Sequence, residues 1–179
     1  MMEAWRGTNV LIYIPSSSHL SIVCVPRSEN SVIAAEKFGI KHFIFVGSFV
    51  DQVDRLFHMG NVKINFISWE ESAVAIVKLA MSPALQGKTY ILTQDRNYTM
   101  LELADLLSEI SGHEISYQPV TVEEFAALYD QPKGFGIVLA SLYQAGNQGC
   151  LGIVTDDFRT ITGRQVTDLK TYMKKNYQK

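Results

Sequence analysis

The strongest constraint on the fold is the pattern of residues 28–48, which predicts a helix, a tight turn and a buried strand. Ser28 is the predicted N-cap, because its hydroxyl can accept a hydrogen bond from a free backbone N–H group of the first turn. The apolar stripe of this helix recurs at helical spacing and consists of Val32, Ala35 and Phe38. Gly39 follows at the position where a left-handed residue ends many helices, and glycine adopts that conformation without steric cost.

Two continuous apolar runs flank this helix, residues 10–14 before it and residues 43–46 after it. Strands that are covered by helices on both faces have this pattern, so the sequence predicts a βαβ unit with two parallel strands. Ligands of such sheets bind beyond the carboxyl ends of the strands. The residues predicted to lie near a ligand are therefore those that follow the two strands: Pro15, Ser16, Ser17, Gly47, Ser48 and Phe49.

Three capping boxes, each a serine or threonine with a glutamate three residues later, predict helices that begin after Ser68, Thr99 and Thr121. Trp69, in the first turn of the first of these helices, is expected to pack against the protein. Gly112 is expected to end the second helix. That helix is expected to bury four residues at core spacing: Leu103, Leu106, Leu107 and Ile110.

The remaining patterns alternate between strands and helices. Short strands are predicted at residues 62–67, 88–92 and 114–118, and a last helix at residues 167–176. This alternation places the chain in the α/β class.

Composition argues against several classes of partner. The net charge of −2 gives no indication of a nucleic-acid or anionic-membrane partner. No apolar run approaches the roughly 20 residues of a membrane-spanning helix, and residues 1–8 lack the apolar core of a signal peptide. Cys24 and Cys150 are far apart and, like the histidines, lack metal-ligand spacing. We therefore expect no disulfide and no metal, in a cytoplasmic protein.

Residues 9–17 and 29–48 resemble the fourth and fifth strands of the NmrA-like family of atypical short-chain dehydrogenases/reductases. Residues 87–93 and 98–112 resemble the start of that family's smaller C-terminal region. The resemblance implies a partial Rossmann-like parallel sheet with helices on both faces over residues 1–85. It implies a small α/β C-terminal region on the substrate side over residues 86–179.

The resemblance also implies a dinucleotide cofactor, NADP or NAD, and a small-molecule acceptor. The implied function is that of an NAD(P)H-dependent oxidoreductase that reduces a quinone-like acceptor. The alternatives are a non-catalytic dinucleotide sensor and an inactive, truncated remnant of the family. The residues implied in cofactor binding are Ile14, Pro15, Ser16, Ser17, Gly47, Ser48 and Phe49.

The sequence departs from the family pattern in two places. The family's opening strand and Gly-x-x-Gly-x-x-Gly turn, which hold the pyrophosphate, have no counterpart before Asn9. Residues 49–59 stand where the family has a further helix and strand. The pattern therefore resembles a relative truncated at its N-terminus and internally. Without the preceding strands, the apolar edge of residues 10–14 would be exposed, so we predict self-association or marginal stability as a monomer.

The sequence contains one Tyr-x-x-x-Lys spacing, Tyr129 to Lys133, which is the spacing of the acid–lysine pair in short-chain dehydrogenases. Both side chains must share one helix face, and Pro132 would break that helix, so we reject the pair as catalytic. Ser48 matches the strand end that carries the family's serine, but no base partner accompanies it. The catalytic residues are therefore left unassigned.

Overall fold

The computed structural model describes residues 5–14, 21–46, 63–128, 133–134, 136–137, 140–141, 146 and 148–177. The chain divides into two compact units. The first unit comprises Met1–Ser48 and Ile76–Lys88, and the second comprises Phe49–Ala75 and Thr89–Lys179. In the part of the chain that the structure describes, no helix is long and apolar enough to cross a membrane.

The first unit contains the predicted βαβ arrangement. Strand β1 (Val10–Tyr13) is followed by helix α1 (Ser21–Lys37) and strand β2 (His42–Phe45). The two strands pair in parallel, with Val10 opposite His42 and Tyr13 opposite Phe45. Gly39 has a φ of 65°, as predicted for the residue that ends the helix. The prediction of two parallel strands joined by a helix is confirmed.

Helix α1 begins earlier than predicted, at Ser21 rather than at Ser28. The extension places Pro26 inside the helix, where it removes one backbone hydrogen bond. Ala35 is buried, as predicted for the apolar stripe, but Val32 is 51% exposed. The helix therefore packs over a narrower stripe than the sequence indicates.

The second unit is built from short strands and helices. Strands β3 (Lys63–Ile64) and β4 (Tyr98–Thr99) pair antiparallel, so the strand predicted at residues 62–67 is confirmed only in part. The helices are α2 (Trp69–Met81, which continues into the first unit), α3 (Met100–Ser111), α4 (Val122–Leu128), α5 (Asp157–Thr162) and α6 (Leu169–Tyr177). A short 3-10 turn of the first unit, Pro83–Leu85, follows α2.

The core of the second unit forms where α3 and α6 pack together. Tyr98, Leu169 and Met173 are buried there. The apolar residues predicted for α3 all pack against this cluster, which confirms the predicted stripe: Leu103, Leu106, Leu107 and Ile110. Gly112 ends α3 in the left-handed conformation with a φ of 75°, as predicted.

Two of the three predicted capping boxes are complete. Thr99 and Glu102 exchange hydrogen bonds at the start of α3, and Thr121 and Glu124 do the same at the start of α4. At the start of α2, Ser68 Oγ accepts from the Glu71 N–H at 3.1 Å, but the Glu71 carboxylate bonds elsewhere.

Trp69 was expected to pack, and this prediction is wrong. Its side chain lies in the first turn of α2 and is 90% exposed. The buried positions of α2 are Glu71 and Ala75, one turn apart. Because a helix buries only one stripe, the face that carries Trp69 is left outward.

The strands predicted at residues 88–92 and 114–118 do not form. Residues 89–94 are held by side chains instead of a ladder. The Asp157 carboxylate accepts from the Ile91 N–H at 2.8 Å, and the Thr155 hydroxyl donates to the Ile91 carbonyl. Thr93 Oγ1 accepts from the Thr155 N–H at 3.0 Å. These contacts satisfy the backbone groups that a neighbouring strand would otherwise satisfy.

Candidate functional site

The carboxyl ends of β1 and β2 lie side by side, as the predicted ligand site requires. The Val46 N–H donates to the Tyr13 carbonyl at 2.9 Å, which extends the parallel pairing to the end of both strands. Ile14 follows β1 and is 67% exposed. The other predicted contact residues lie outside the described part of the chain: Pro15, Ser16, Ser17, Gly47, Ser48 and Phe49.

Three aromatic rings meet on one face of the sheet, next to this edge. The Tyr13 ring stacks on the Phe45 ring at a centroid distance of 5.6 Å and an interplanar angle of 25°. It also stacks on the Phe43 ring at 6.2 Å and 22°. Phe45, which is level with Tyr13 and closer to the strand end than Phe43, is 53% exposed. We call these three residues the aromatic platform; a flat apolar surface of this kind suits the face of a planar ring.

The aromatic platform was missed by the sequence analysis. Residues two apart on a strand share a face, so Phe43 and Phe45 lie on one side of β2. The parallel register places Tyr13 opposite Phe45 on the same side. The alternating aromatics in β2 were a visible signal, but the register that adds Tyr13 depends on the three-dimensional pairing.

Glu71, an acidic residue of the second unit, is held by hydrogen bonds from two neighbouring side chains and one backbone group. The Glu71 carboxylate accepts from Arg164 Nη1 at 3.0 Å and also bonds Arg164 Nη2. Glu71 Oε1 accepts from the Thr167 N–H at 3.1 Å and from the Thr167 hydroxyl. The Arg164 hydrogen bond, more than any other contact, lowers the pKa of Glu71 to about 2. Glu71 is therefore a permanent anion that joins two parts of the unit and does not serve as a proton carrier near neutral pH.

A charged cleft of about 460 Å³ lies between α3, α6 and the start of β4. Arg96 stacks over the Tyr98 ring at 3.9 Å and pairs with Glu102 at 2.9 Å. The Thr99 backbone hydrogen bond and then Arg96 lower the pKa of Glu102 to about 2. Lys170 pairs with Glu109 at 2.6 Å on the other side of the cleft. Arg96 and Lys170 each pair with one glutamate, but Asp95, Asp105 and Asp168 also line the cleft, so its lining is acidic overall.

Two further predictions concern metal binding and catalysis. Among the described residues, no three side chains of histidine, cysteine, aspartate or glutamate are grouped so that they could hold a metal ion. Tyr129, the first member of the rejected Tyr-x-x-x-Lys pair, lies outside the described residues. The described carboxyl edge of the sheet therefore has no assigned acid or base.

This arrangement is similar to that of several solved structures. A nucleoside-diphosphate-sugar epimerase from Staphylococcus aureus is 31% identical, with a TM-score of 0.89 over 97% of this chain and 78% of that protein. The triphenylmethane reductase of Citrobacter sp., in complex with NADP(H), is 21% identical, with a TM-score of 0.87 over 97% of this chain and 78% of that protein. The NADPH-dependent quinone oxidoreductase of Escherichia coli, in complex with NADPH, is 18% identical, with a TM-score of 0.87 over 99% of this chain and 79% of that protein.

A curated relative gives a further similarity. Quinone oxidoreductase 2 of Escherichia coli (strain K12) is 27% identical over 138 residues, which are 75% of this chain and 43% of that relative. The chain thus matches less than half the length of this relative. No family model matches the sequence.

The parallel strand pair with its crossover helix and these similarities define an α/β protein of Rossmann-like fold. The chain belongs to the NmrA-like family of atypical short-chain dehydrogenases/reductases, which its strand and helix motifs resemble.

Proposed function

We propose that this chain is part of an NAD(P)H-dependent oxidoreductase that reduces a quinone-like acceptor. The cofactor is NADP or NAD, bound at the carboxyl edge of β1 and β2 in contact with Ile14 and with the residues that follow the two strands: Pro15, Ser16, Ser17, Gly47, Ser48 and Phe49. The observation that carries the proposal is the βαβ unit whose two strands end together beside the aromatic platform.

The relatives support this assignment. The E. coli quinone oxidoreductase and the Citrobacter reductase are solved with NADPH and NADP(H), respectively, and both share the fold of this chain. In open α/β sheets, ligands bind beyond the carboxyl ends of the strands, and the aromatic platform lies on one face of the sheet next to those ends. The fold of the relatives and the position of the aromatic platform thus both favour a nucleotide site at the carboxyl ends of β1 and β2.

The proposed reaction requires few catalytic groups from the protein. When bound, the reduced dinucleotide supplies a hydride; together with a proton from solvent, this converts a quinone to a hydroquinone and leaves the oxidised dinucleotide. The aromatic platform positions a planar ring and excludes water from one of its faces. Because the proton can come from solvent, a Tyr–Lys acid pair is not required for this reaction.

The proposal is tested by titrating the chain with NADPH, and then with NADH, while following nucleotide fluorescence. We expect saturable binding with a dissociation constant in the micromolar range, about −8 kcal/mol. Oxidation of NADPH by menadione, followed by absorbance, then tests turnover. No binding at about 1 mM nucleotide would refute both the reductase and the alternative of a dinucleotide sensor. Binding without turnover would favour the sensor.

A matched pair of variants locates the site. Phe45→Ala removes the exposed ring of the aromatic platform and should weaken NADPH binding about two- to tenfold, since a ring stack contributes about 0.5–1.5 kcal/mol. Val32→Ala shortens an apolar side chain of similar exposure on α1 and should leave the affinity unchanged. Equal affinities of both variants would place the nucleotide elsewhere.

A further inference from the structure

Helix α2 exposes an apolar surface that its own buried side does not use. We call six exposed residues of this helix its outer face: Trp69, Glu70, Val74, Val77, Lys78 and Met81. The most exposed apolar side chains are Trp69 at 90%, Met81 at 77% and Val77 at 57%. Val74, Val77 and Met81 recur at intervals of three and four residues, which is the spacing of helices that pack along one another.

The outer face lies opposite the buried positions of the helix. Glu71 and Ala75 are buried, and the Glu71 carboxylate is held by Arg164 and Thr167. In α/β folds the helices form outer layers, with one stripe packed inward and the opposite stripe towards solvent. A solvent-facing stripe is normally polar, so a tryptophan, two valines and a methionine on this stripe indicate a contact with another protein surface.

The two charges of the outer face specify which surface fits. Glu70 lies in the first turn of α2 and Lys78 lies in the last turn. Among the described residues, neither of these side chains forms an ion pair. In a parallel pair of α2 helices each charge would meet its like, whereas in an antiparallel pair each glutamate lies near a lysine of the other copy. The outer face is therefore self-complementary when the helices are antiparallel.

We infer that a second copy of this chain binds to the outer face of α2, with the two helices antiparallel about a twofold axis. An axis midway between Val74 and Val77 sets Val74 against Val77 of the second copy, and the reverse contact follows by symmetry. Glu70 then lies within one helical turn, about 5.4 Å, of the level of Lys78 of the second copy. Trp69 lies close to the level of Met81 of the second copy, so the largest exposed ring covers the most exposed methionine.

The length of α2 sets the strength of this association. The helix has 13 residues and spans about 20 Å. A contact between two helices of this length is smaller than a standard interface of about 1,600 Å². The dimer is therefore expected to exchange with monomer, with a dissociation constant in the micromolar range.

Light scattering with size-exclusion chromatography over about 1 µM to 1 mM chain tests this inference. We expect the molar mass to rise from one chain to two across this range. A monomer at all concentrations would overturn the inference and would leave a different protein as the occupant of the outer face. A mass that climbs beyond two chains would also overturn it, since a twofold pair is closed.

A charge exchange tests the antiparallel arrangement. Glu70→Lys brings two lysines together at each end of the pair, and Lys78→Glu brings two glutamates together, so each variant alone should dimerise about tenfold more weakly than the parent. An equimolar mixture of the two variants restores opposite charges at both ends and should dimerise like the parent. Recovery in the mixture also shows that both variants are folded. Unchanged dimerisation of the single variants would overturn the inference.

The fluorescence of Trp69 gives a second readout, measured with Trp5 replaced by phenylalanine. Raising the concentration should shift the emission to shorter wavelength, because the ring leaves water in the dimer. Val77→Lys should abolish this shift, whereas Val32→Lys, at an exposed position of α1, should keep it. An emission wavelength that does not depend on concentration in the parent, or an equal shift in both lysine variants, would overturn the inference.

Discussion

Arg164 donates hydrogen bonds from both of its Nη atoms to the carboxylate of Glu71, a residue 93 positions earlier in the chain. The Glu71 side chain is 8% exposed and that of Arg164 is 48% exposed. Thr167 adds a backbone and a hydroxyl hydrogen bond to the same carboxylate. The first turn of α2 is thereby tied to the loop between α5 and α6 within the second unit.

Removing the charge of Glu71 should destabilise this unit. Glu71→Gln keeps an acceptor oxygen for Thr167, but it leaves the Arg164 guanidinium without its counter-charge and sets an amide NH2 against Arg164 Nη2, which should cost about 2–4 kcal/mol of unfolding free energy. Urea unfolding followed by circular dichroism measures this loss. Glu70→Gln, at the exposed neighbouring position, is the control and should change the free energy by under about 0.5 kcal/mol. Equal effects of the two variants would contradict the assigned contact.

The same ion pair predicts how stability depends on pH. The pKa of Glu71 is about 2 in the folded chain, against an ordinary value of 4.5. Because folding lowers this pKa, the stabilisation is fully present above the unfolded value and is lost as the pH falls towards 2. The difference in unfolding free energy between the parent and Glu71→Gln should therefore be constant near neutral pH and shrink below about pH 4.5. A difference independent of pH would refute the ionised state.

The hydrogen-bond partners of Glu71 could be predicted from the sequence only in part. The Ser68-x-x-Glu71 pattern predicts a reciprocal capping box, and the Ser68 half of it forms. The carboxylate instead bonds Arg164 and Thr167, because tertiary partners offer a full charge and extra donors. Likewise, residues 88–92 have the pattern of a strand, yet Thr155 and Asp157 provide their backbone contacts. A local sequence pattern does not show which residues more than 60 positions away will provide hydrogen-bond partners.

Features set by adjacent residues were predictable. The apolar stripe of α3, its N-terminal capping box and its end at Gly112 were predicted from residue spacing within one helix. All three features are present. The parallel pair β1–β2 follows from two apolar runs joined by a helix. For the candidate site, the sequence indicated the correct edge of the sheet but not the aromatic platform, since the alignment of Tyr13 with Phe45 is set by strand register.

The cap of α3 is expected to contribute measurable stability. Thr99 Oγ1 accepts from the Glu102 N–H at 3.1 Å, and the Glu102 carboxylate accepts from the Thr99 N–H at 2.7 Å. Thr99→Ala should lose about 1 kcal/mol of unfolding free energy, whereas Thr99→Ser keeps the hydroxyl and should lose much less. Urea unfolding of the three chains measures both values. A loss of equal size in Thr99→Ser would assign the effect to side-chain packing.

The Tyr117 hydroxyl predicts a substitution of the opposite sign. This hydroxyl is buried and has no hydrogen-bond partner among the residues that the structure describes, and burial raises the pKa of Tyr117. A buried hydroxyl without a hydrogen-bond partner loses its hydrogen bonds to water and gains none in the protein. Tyr117→Phe should therefore leave the unfolding free energy unchanged or raise it by up to about 1 kcal/mol.

Thermal and urea unfolding of Tyr117→Phe and of the parent measure this change. In an alkaline absorbance titration, Tyr117→Phe should lack one phenol that ionises later than an exposed tyrosine, because burial raises its pKa. A loss of about 0.5–1.5 kcal/mol of unfolding free energy in Tyr117→Phe would mean that the Tyr117 hydroxyl holds a hydrogen bond in solution.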